Sequence, residues 1–399
     1  MPNNKRKIIS SPVSNSSNTE MVVEYKTSIT SDVRIIEKPV SNHICLDTGL
    51  VFNATGASGA EKEFYTDEYD LHSESVISEF KYFEKGRSVG VYSNILEFIE
   101  KNIRLNNKGN VLDIGCGKGL FLRRFTEVFS KWELFGIEPS KNASQFFSET
   151  MPNVNIFEGM LEESSYKNEK FDIITANGVL EHVPKPIEFL KTVKRMMHEN
   201  SYLYIGVPNF ENNPADLFTF DHLSKFTEDT ISLCFDIAGF EIIAKKIESQ
   251  RVPMWYILKP KLNGVRALEP QVNKSKKLVS RTLREIEGYW SSFNEAAKIV
   301  NEGYKIAFYG SGAFGSLAFH YSDISVEDIS VIIDDNETVW GSKRLGIPID
   351  APDNLDKYKE VKAILFSANP CYLDTLHKKT TNLINSKKLE CKAFLPVFS

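Results

Sequence analysis

The sequence predicts an α/β protein with two successive units in which strands alternate with helices. Each unit opens with a short apolar strand that leads through closely spaced glycines into residues with helical spacing. The first such passage is Asn110–Leu122 and the second is Lys305–Gly315. At 399 residues the chain is long for one domain, and about two or three domains are expected.

Bulk properties exclude several functional classes. The net charge is only -5 and no long basic block occurs, so nucleic-acid binding is not indicated. No apolar run approaches the roughly 18 residues of a membrane span, and no apolar segment follows the basic Lys5–Lys7. We therefore expect no membrane segment and no secretory signal. The five scattered cysteines fit a reducing compartment and predict a cytoplasmic protein. The Asn- and Ser-rich start predicts a disordered leader over residues 1–32.

The first glycine turn carries the clearest chemistry. Gly115, Gly117 and Gly119 follow Asp113, which ends the strand. Glu138 stands nineteen residues beyond Gly119, where a carboxylate can accept from both hydroxyls of a ribose. The third glycine, Gly119, comes one place too early for the dinucleotide pattern G-x-G-x-x-G. The carboxylate of Asp113, at the end of the strand, can bind the ammonium group of a methionine moiety. The pattern therefore predicts a site for S-adenosylmethionine (SAM). The alternative is a glycine-rich turn in another kind of α/β protein.

This pattern resembles motif I and the following acidic position of class I SAM-dependent methyltransferases. The resemblance implies a Rossmann-like sheet of seven strands over residues 73–260, followed by a second, smaller Rossmann-like domain. It also implies SAM as the cofactor. The expected cofactor-binding residues are Asp113, Gly115, Cys116, Gly117, Gly119, Glu138, Pro139, Met160, Leu161 and Asn177.

A polar segment over residues 218–227 supplies the candidates for proton transfer. It precedes a predicted helix over Glu228–Ala238 and should lie at the carboxyl end of the sheet, where α/β proteins bind ligands. His222 is the first candidate for a general base, because histidine titrates near neutral pH and the adjacent Asp221 can tune it. The alternative for His222 is a structural role at the helix entry. For His182, after the fourth strand, a structural or cofactor-positioning role is preferred over proton transfer.

Residues 33–72 suggest a small N-terminal module. Cys45 stands in the frame of a zinc knuckle, C-x-x-C-G, but Thr48 replaces the second cysteine. One thiolate with one histidine cannot complete a tetrahedral site, so no metal is predicted. Tyr69 and His72 belong to an aromatic and acidic segment that either packs over the sheet edge or covers the substrate.

The second unit, residues 303–399, follows a helical linker over residues 261–302. Its turn Gly310–Gly315 is a true G-x-G-x-x-G, and Asp334 and Asp335 stand nineteen and twenty residues further on. Considered alone, this pattern indicates a dinucleotide site.

The order of these parts resembles the C-methyltransferases of nucleotide-linked keto-deoxysugars, which combine a small zinc module, a SAM domain and a C-terminal Rossmann-like domain. The resemblance implies a nucleotide-sugar acceptor, with Tyr69, His72 and Phe220 on the substrate side. It also implies a C-terminal domain that binds no redox cofactor. In that family a Tyr-Glu-His cluster serves the substrate and the base. Here Phe220, Asp221 and His222 stand at those positions, so the phenol is lost and the acid is shortened.

Three functions are compatible with these patterns. The first is C-methylation, in which His222 removes a proton beside a keto group and the enolate attacks the methyl group. The second is O-methylation of a hydroxyl on a sugar, a glycan or another small molecule, favoured by the loss of the tyrosine. The third is a nucleotide-sugar or NAD-binding protein with a vestigial SAM site, against which Asp113 and Glu138 both argue.

Overall fold

The computed structural model shows an α/β protein with two large sheets and a smaller N-terminal sheet. It describes residues 9–55, 81–84, 87–140, 149–248, 253–261, 269–300 and 303–398. Tyr69 and His72, which the sequence places on the substrate side, lie outside these residues. Within the same ranges, no helix is both long enough and apolar enough to cross a bilayer.

The N-terminal part is built from short antiparallel strands. They are β1 (Thr19–Tyr25), β2 (Ser28–Ile29), β3 (Ile35–Ile36), β4 (Val40–Cys45), β5 (Val51–Asn53), β6 (Lys81–Glu84) and β7 (Arg87–Gly90). Strand β4 pairs with both β1 and β5, whereas β2 pairs with β3 and β6 pairs with β7.

The expectation of a disordered leader over residues 1–32 is wrong for its second half. Tyr25, at the end of β1, stacks on Phe218 with ring centroids 3.9 Å apart. Burial of aromatic surface of this kind stabilises the strand. The polar residues that suggested disorder make hydrogen bonds instead, since the side chain of Asn18 donates to Asp47 over 2.7 Å.

The thiol of Cys45, which begins the zinc-knuckle pattern, is surrounded by three hydroxyl groups. The sulfur of Cys45 lies 3.5 Å from Oγ of Ser14, and the hydroxyls of Thr48 and Ser11 also hydrogen-bond to it. Burial alone would raise the pKa of this thiol, but the hydrogen bonds outweigh burial and hold the pKa below its ordinary value. Neutral hydroxyls are not among the usual ligands of structural zinc, so the expectation of a module without metal stands as a prediction.

We expect chelators to leave the stability of this protein unchanged. A structural zinc ion contributes folding free energy directly, so its removal would lower the melting temperature. Thermal unfolding with and without excess EDTA should therefore give the same midpoint. A midpoint that falls in EDTA and recovers when zinc is added back would contradict this prediction.

The central domain contains seven strands in one sheet, as the sequence predicts. Its helices are α1 (Val91–Asn102), α2 (Leu120–Val128), α3 (Pro186–Arg195) and α4 (Glu228–Ala238). The seven strands of its sheet are β8 (Asn110–Ile114), β9 (Glu133–Glu138), β10 (Asn155–Glu158), β11 (Phe171–Asn177), β12 (Met197–Pro208), β14 (Phe240–Lys246) and β15 (Pro253–Pro260). The short strand β13 (Ser224–Lys225) lies between β12 and β14 in the chain but outside this sheet.

The strand order in this sheet is β10-β9-β8-β11-β12-β15-β14. The first five strands are parallel, and β15 is antiparallel to both β12 and β14. Strands β14 and β15 thus end the sheet as an antiparallel pair. Because the order reverses on either side of β8, the carboxyl ends of β8 and β11 border the crevice in which such sheets bind ligands.

The segment 216–225 is shared between the central domain and the N-terminal module. Strand β13, at the end of this segment, pairs with β5 and so becomes the fourth strand of the N-terminal sheet. The side-chain amides of Asn42 and Asn53 each donate over 2.7 Å to main-chain oxygens of this segment, those of Leu217 and Phe220. The N-terminal module therefore fixes the segment that contains His222.

The C-terminal domain is a second Rossmann-like unit, as expected. Its elements are α5 (Val272–Val300), β16 (Lys305–Tyr309), α6 (Ala313–Tyr321), β17 (Ile329–Ile333), β18 (Lys343–Arg344), β19 (Ile347–Asp350), β20 (Val361–Phe366), α7 (Pro370–Lys387) and β21 (Lys392–Phe394). The strand order is β18-β19-β17-β16-β20-β21. Helix α5, expected as a linker, packs into this domain, since Tyr289 stacks on Phe314 with ring centroids 3.8 Å apart.

Candidate functional site

The first glycine turn joins β8 to α2 in backbone conformations that favour glycine. Gly115, Gly117 and Gly119 have φ angles of 70°, 52° and 72°, a region that is costly for residues with a Cβ. A Cβ on Gly115 would also lie 2.7 Å from Cγ2 of Val179. The turn therefore presents bare main chain to a ligand.

Two buried carboxylates flank this turn. Glu138, at the end of β9, accepts from the amide N–H of Gly117 over 2.9 Å and from that of Ser140 over 2.8 Å. Asp113, on β8, accepts from Oγ1 of Thr175 over 2.6 Å. A carboxylate offers about four lone-pair sites, so Glu138 can order the loop and also accept from the hydroxyls of a ribose.

A cavity of about 290 Å³ lies between the glycine turn and the ends of β8, β11 and β12. It is lined by Tyr92, Ile95, Asp113, Gly115, Cys116, Phe121, Thr175, Asn177 and Tyr204. The structure thus brings together four of the residues expected to bind the cofactor. Of the others, Gly117 donates to Glu138, and Pro139 follows that residue. Met160 and Leu161 follow Gly159, whose amide donates to the main-chain oxygen of Glu138 over 3.0 Å. Gly119 precedes the first residue of α2.

A second group of buried polar side chains lies beyond the end of β11, where a 3₁₀ turn spans Leu180–His182. Nδ1 of His222 lies 2.5 Å from Oδ1 of Asp216, and both side chains are buried. Because a carboxylate can only accept, the Nδ1–H of His222 donates. The rings of His182 and His222 have centroids 4.7 Å apart. We call Glu181, His182, Asp216, Asp221, His222 and Lys225 the histidine cluster.

Asp221 tunes His222 through its charge, which helps to raise the pKa of the histidine. Its carboxylate accepts from the amide and the hydroxyl of Ser31 in the N-terminal module, over 2.8 Å and 2.6 Å. Its main-chain oxygen accepts from Nδ1 of His182 over 2.9 Å. The carboxylate that pairs with His222 is instead that of Asp216.

Two further side chains complete the surroundings of His222. Lys225 is fully buried, and its ammonium donates to the main-chain oxygens of Thr219 and His222 over 2.9 Å and 2.5 Å. Phe220, expected on the substrate side, is half-buried, and Nζ of Lys38 lies 5.7 Å from its ring centroid.

A comparison with known protein families identifies the same part of the chain that holds the glycine turn and its two carboxylates. Residues 84–245 match the family model described as a methyltransferase domain. This part of the chain is a class I SAM-dependent methyltransferase domain. Its cofactor is SAM, and the bare main chain at Gly115 with the carboxylate of Glu138 fits that molecule.

The methyltransferase domain is also similar to curated proteins. It is 31% identical over 147 residues to a ubiquinone biosynthesis O-methyltransferase of Coxiella burnetii. The aligned region covers 34% of this chain and 60% of that protein. An uncharacterized protein of Rickettsia prowazekii is 28% identical over 178 residues, covering 41% of this chain and 71% of that protein. The chain thus spans 60% of the length of the first of these relatives.

Solved structures with a similar backbone include two described as SAM-dependent methyltransferases. The one from Aquifex aeolicus has a TM-score of 0.36 and 16% identity, with 42% of this chain and 88% of that chain covered. The one from Clostridium acetobutylicum has a TM-score of 0.35 and 13% identity, with coverages of 43% and 90%.

The methyltransferase domain holds His222 and Asp216 as a charge-assisted pair. Burial alone would lower the pKa of His222, but the carboxylate of Asp216, with those of Asp221 and Glu181, outweighs burial and raises it. Burial alone would raise the pKa of Asp216, yet His222 and Lys225 hold that pKa below its ordinary value. The proton on Nδ1 of His222 is therefore firmly held, and the other ring nitrogen is left to exchange protons.

Glu181 and His182 have pKa values shifted in opposite directions. Burial raises the pKa of Glu181 to about 7. Burial and the neighbouring His222 lower the pKa of His182 to about 4. At neutral pH His182 is therefore neutral, whereas Glu181 exchanges its proton readily.

Sequence analysis missed Asp216, Glu181 and Ser31. Glu181 directly precedes His182, so the Glu-His pair was a usable local signal. Asp216 and Ser31 carry no such signal, because their partners stand 6 and 190 residues away along the chain.

Proposed function

We propose that this protein transfers a methyl group from SAM to a carbon atom beside a keto group in a nucleotide-activated sugar. One observation carries the proposal: the buried His222–Asp216 pair lies beyond the end of β11, the strand whose Asn177 lines the cofactor cavity. When bound, SAM supplies an electrophilic methyl group. The protein must supply a base and hold the acceptor in line.

His222 is the base in this proposal. Its Nδ1–H is donated to Asp216, so in the neutral ring the other nitrogen carries a lone pair. That nitrogen takes the proton from the acceptor, and the adjacent carboxylate stabilises the imidazolium that forms. Placing acceptor and cofactor in contact supplies a further share of the rate, about 7 kcal/mol or more for well-oriented reactants.

Two buried polar side-chain atoms in the C-terminal domain support an acceptor that carries phosphate. They belong to Ser316 and Arg344, which line a small pocket at the turn Gly310–Gly315. Oγ of Ser316 and Nε of Arg344 are buried and have no hydrogen-bond partner within the described part of the chain. Both lie near the N-terminal end of α6, where backbone N–H groups favour anions. Phosphate oxygens would satisfy both groups.

The N-terminal module connects this pocket with the histidine cluster. Asp32 lies within electrostatic reach of Arg344, and the adjacent Ser31 hydrogen-bonds Asp221. This continuity supports an acceptor whose sugar lies at His222 and whose phosphates reach the C-terminal domain.

The direct test is to incubate the protein with methyl-labelled SAM and a panel of nucleotide-activated keto and non-keto sugars. The position of the label is then determined by NMR. A label on carbon beside a ketone is the expected result. SAM binding without a labelled product, together with tight NAD binding that depends on Gly310 and Gly312, would instead support the vestigial-site alternative.

We expect Arg344→Ala to weaken binding of the nucleotide-sugar acceptor and not that of SAM. Loss of a hydrogen bond between charged groups costs about 1.5–3 kcal/mol, so KM for the acceptor should rise about 10- to 100-fold. Lys343→Ala is the matched control, since the neighbouring Lys343 is exposed. An equal KM in wild type and Arg344→Ala would exclude the C-terminal pocket as the phosphate site.

O-methylation is the second candidate function. The Coxiella burnetii relative that matches this domain is named as an O-methyltransferase, and Phe220 lacks the hydroxyl found at this position in the resembling sugar enzymes. The same histidine would then take the proton of a hydroxyl group. If NMR locates the labelled methyl group on an oxygen atom of the product, O-methylation is the function.

A further inference from the structure

The histidine cluster brings three proton-exchanging groups to one point. A carboxylate oxygen of Glu181 and one ring nitrogen each of His182 and His222 lie within 4.8 Å of one another. Nε2 of His182 lies 4.0 Å from Oε1 of Glu181. These distances are longer than hydrogen bonds, so a proton passes between the groups when a side chain rotates or a water molecule bridges them.

The hydrogen bonds of the two histidines determine which nitrogens can exchange protons. Nδ1 of His222 donates to Asp216, and Nδ1 of His182 donates to the main-chain oxygen of Asp221. Since a carboxylate and a carbonyl only accept, both Nδ1 atoms carry hydrogen. Proton exchange in the cluster therefore involves the Nε2 atoms and Glu181.

Glu181 has an oxygen whose hydrogen-bonding capacity is unused. Its side chain is buried with 3% of its surface exposed, and Oε2 has no hydrogen-bond partner within the described ranges. Buried carboxylates are normally satisfied, so such a group requires an explanation. A carboxylate that gains and loses a proton during turnover provides one.

The charge balance of the cluster also favours a mobile proton. With all carboxylates ionised, Glu181, Asp216 and Asp221 face one buried cation, Lys225. A proton on Glu181 or on His222 reduces this excess of negative charge. Uncompensated buried charge is costly, so uptake of a proton by Glu181 from His222 during turnover is favoured.

A base buried as deeply as His222 needs a route by which its proton reaches water. Asp216 and Lys225 are buried, with 1% and 0% of their surfaces exposed, so neither can pass a proton directly to water. The side chain of His182 is 14% exposed, and its ring lies beside that of His222, with centroids 4.7 Å apart. Glu181 lies within 4.8 Å of a ring nitrogen of each histidine, so one sequence of groups towards solvent is His222, Glu181 and His182.

We propose that Glu181 relays the proton from His222 to His182 after each methyl transfer. The inference rests on the proposed role of His222 as the base. The imidazolium of His222 gives its proton to the Glu181 carboxylate, which restores a neutral histidine and forms a carboxylic acid. The acid gives the proton to Nε2 of His182, and that histidine releases it to water. No electrons are exchanged.

The test compares the first turnover with later turnovers in Glu181→Gln by rapid quench with labelled SAM and an accepted sugar. Glutamine keeps the size of the side chain and cannot carry the proton. The first methyl transfer should stay within about twofold of wild type, and later turnovers should slow at least tenfold, giving a burst of one product per enzyme. Added imidazole should restore the later turnovers of this variant.

Two matched variants keep the result interpretable. Glu181→Asp retains a carboxylate and should recover much of the later rate, whereas Glu162→Gln, at an exposed acid, should behave as wild type. SAM affinity measured for each variant confirms that the fold is intact. A first turnover slowed as much as the later ones, or an unchanged steady-state rate, would overturn the relay. A wild-type protein that labels no acceptor would overturn the proposed function, and the relay with it.

Discussion

His222→Ala is expected to lower the rate of methyl transfer by about 100- to 10,000-fold, the usual contribution of a general base. The Nδ1–H of this histidine donates to the carboxylate of Asp216, which leaves its other nitrogen as the base, so alanine removes the group that takes the proton. SAM affinity should stay within about twofold of wild type, because the cofactor cavity is lined by other residues. The rate is measured with labelled SAM and the affinity by calorimetry.

His198→Ala provides the control, since His198 is an exposed histidine on β12 of the same domain. The pH profile of the wild type gives a further check. A base must be deprotonated, and Asp216 raises the pKa of His222, so activity should fall as the pH drops through a value above the ordinary pKa of about 6.5. Full activity in His222→Ala would remove this histidine from the mechanism.

Glu138→Ala is expected to raise the dissociation constant for SAM at least about 100-fold. The carboxylate orders the glycine turn through the amides of Gly117 and Ser140. It is also placed to accept from both ribose hydroxyls. Two hydrogen bonds to a charged group are together worth about 3 kcal/mol or more, which corresponds to two orders of magnitude in affinity. Calorimetric titration of SAM into the variant measures the change.

Glu133→Ala is the matched control for this change. Glu133 begins the same strand, β9, but is exposed at its opposite end. SAM affinity should be unaffected there, and the unfolding temperature of each variant measured without SAM shows how much of the Glu138 effect comes from ordering the turn. Equal affinity in Glu138→Ala and wild type would show that the glycine turn binds SAM without this carboxylate.

The sequence was most informative where the determinants are local. The passage from β8 through three glycines to α2, and the acid that ends β9, depend on residues close together in the chain and on backbone angles that glycine alone adopts readily. The same holds for the Rossmann-like character of both large sheets, because alternating strands and helices leave few topologies open.

The histidine cluster depends on contacts that no local pattern encodes. Adjacency in sequence suggested Asp221 as the acid that tunes His222, and its charge does raise the pKa of that histidine. The hydrogen bond to His222 comes instead from Asp216, six residues away, and the carboxylate of Asp221 binds Ser31. The leader was misjudged for a similar reason. Its polar composition is typical of disorder, but Tyr25 gains a partner in Phe218, nearly two hundred residues later.

Strand β13 lies in the sheet of the N-terminal module although its residues belong to the central domain. The unit that folds cooperatively around His222 is therefore larger than residues 84–245, which match the methyltransferase family model. A fragment trimmed to those limits would lose the pairing of Ser224 and Lys225 with β5 and the hydrogen bonds of Ser31 to Asp221. Recombination with related proteins should accordingly exchange the N-terminal module and the segment 216–225 together.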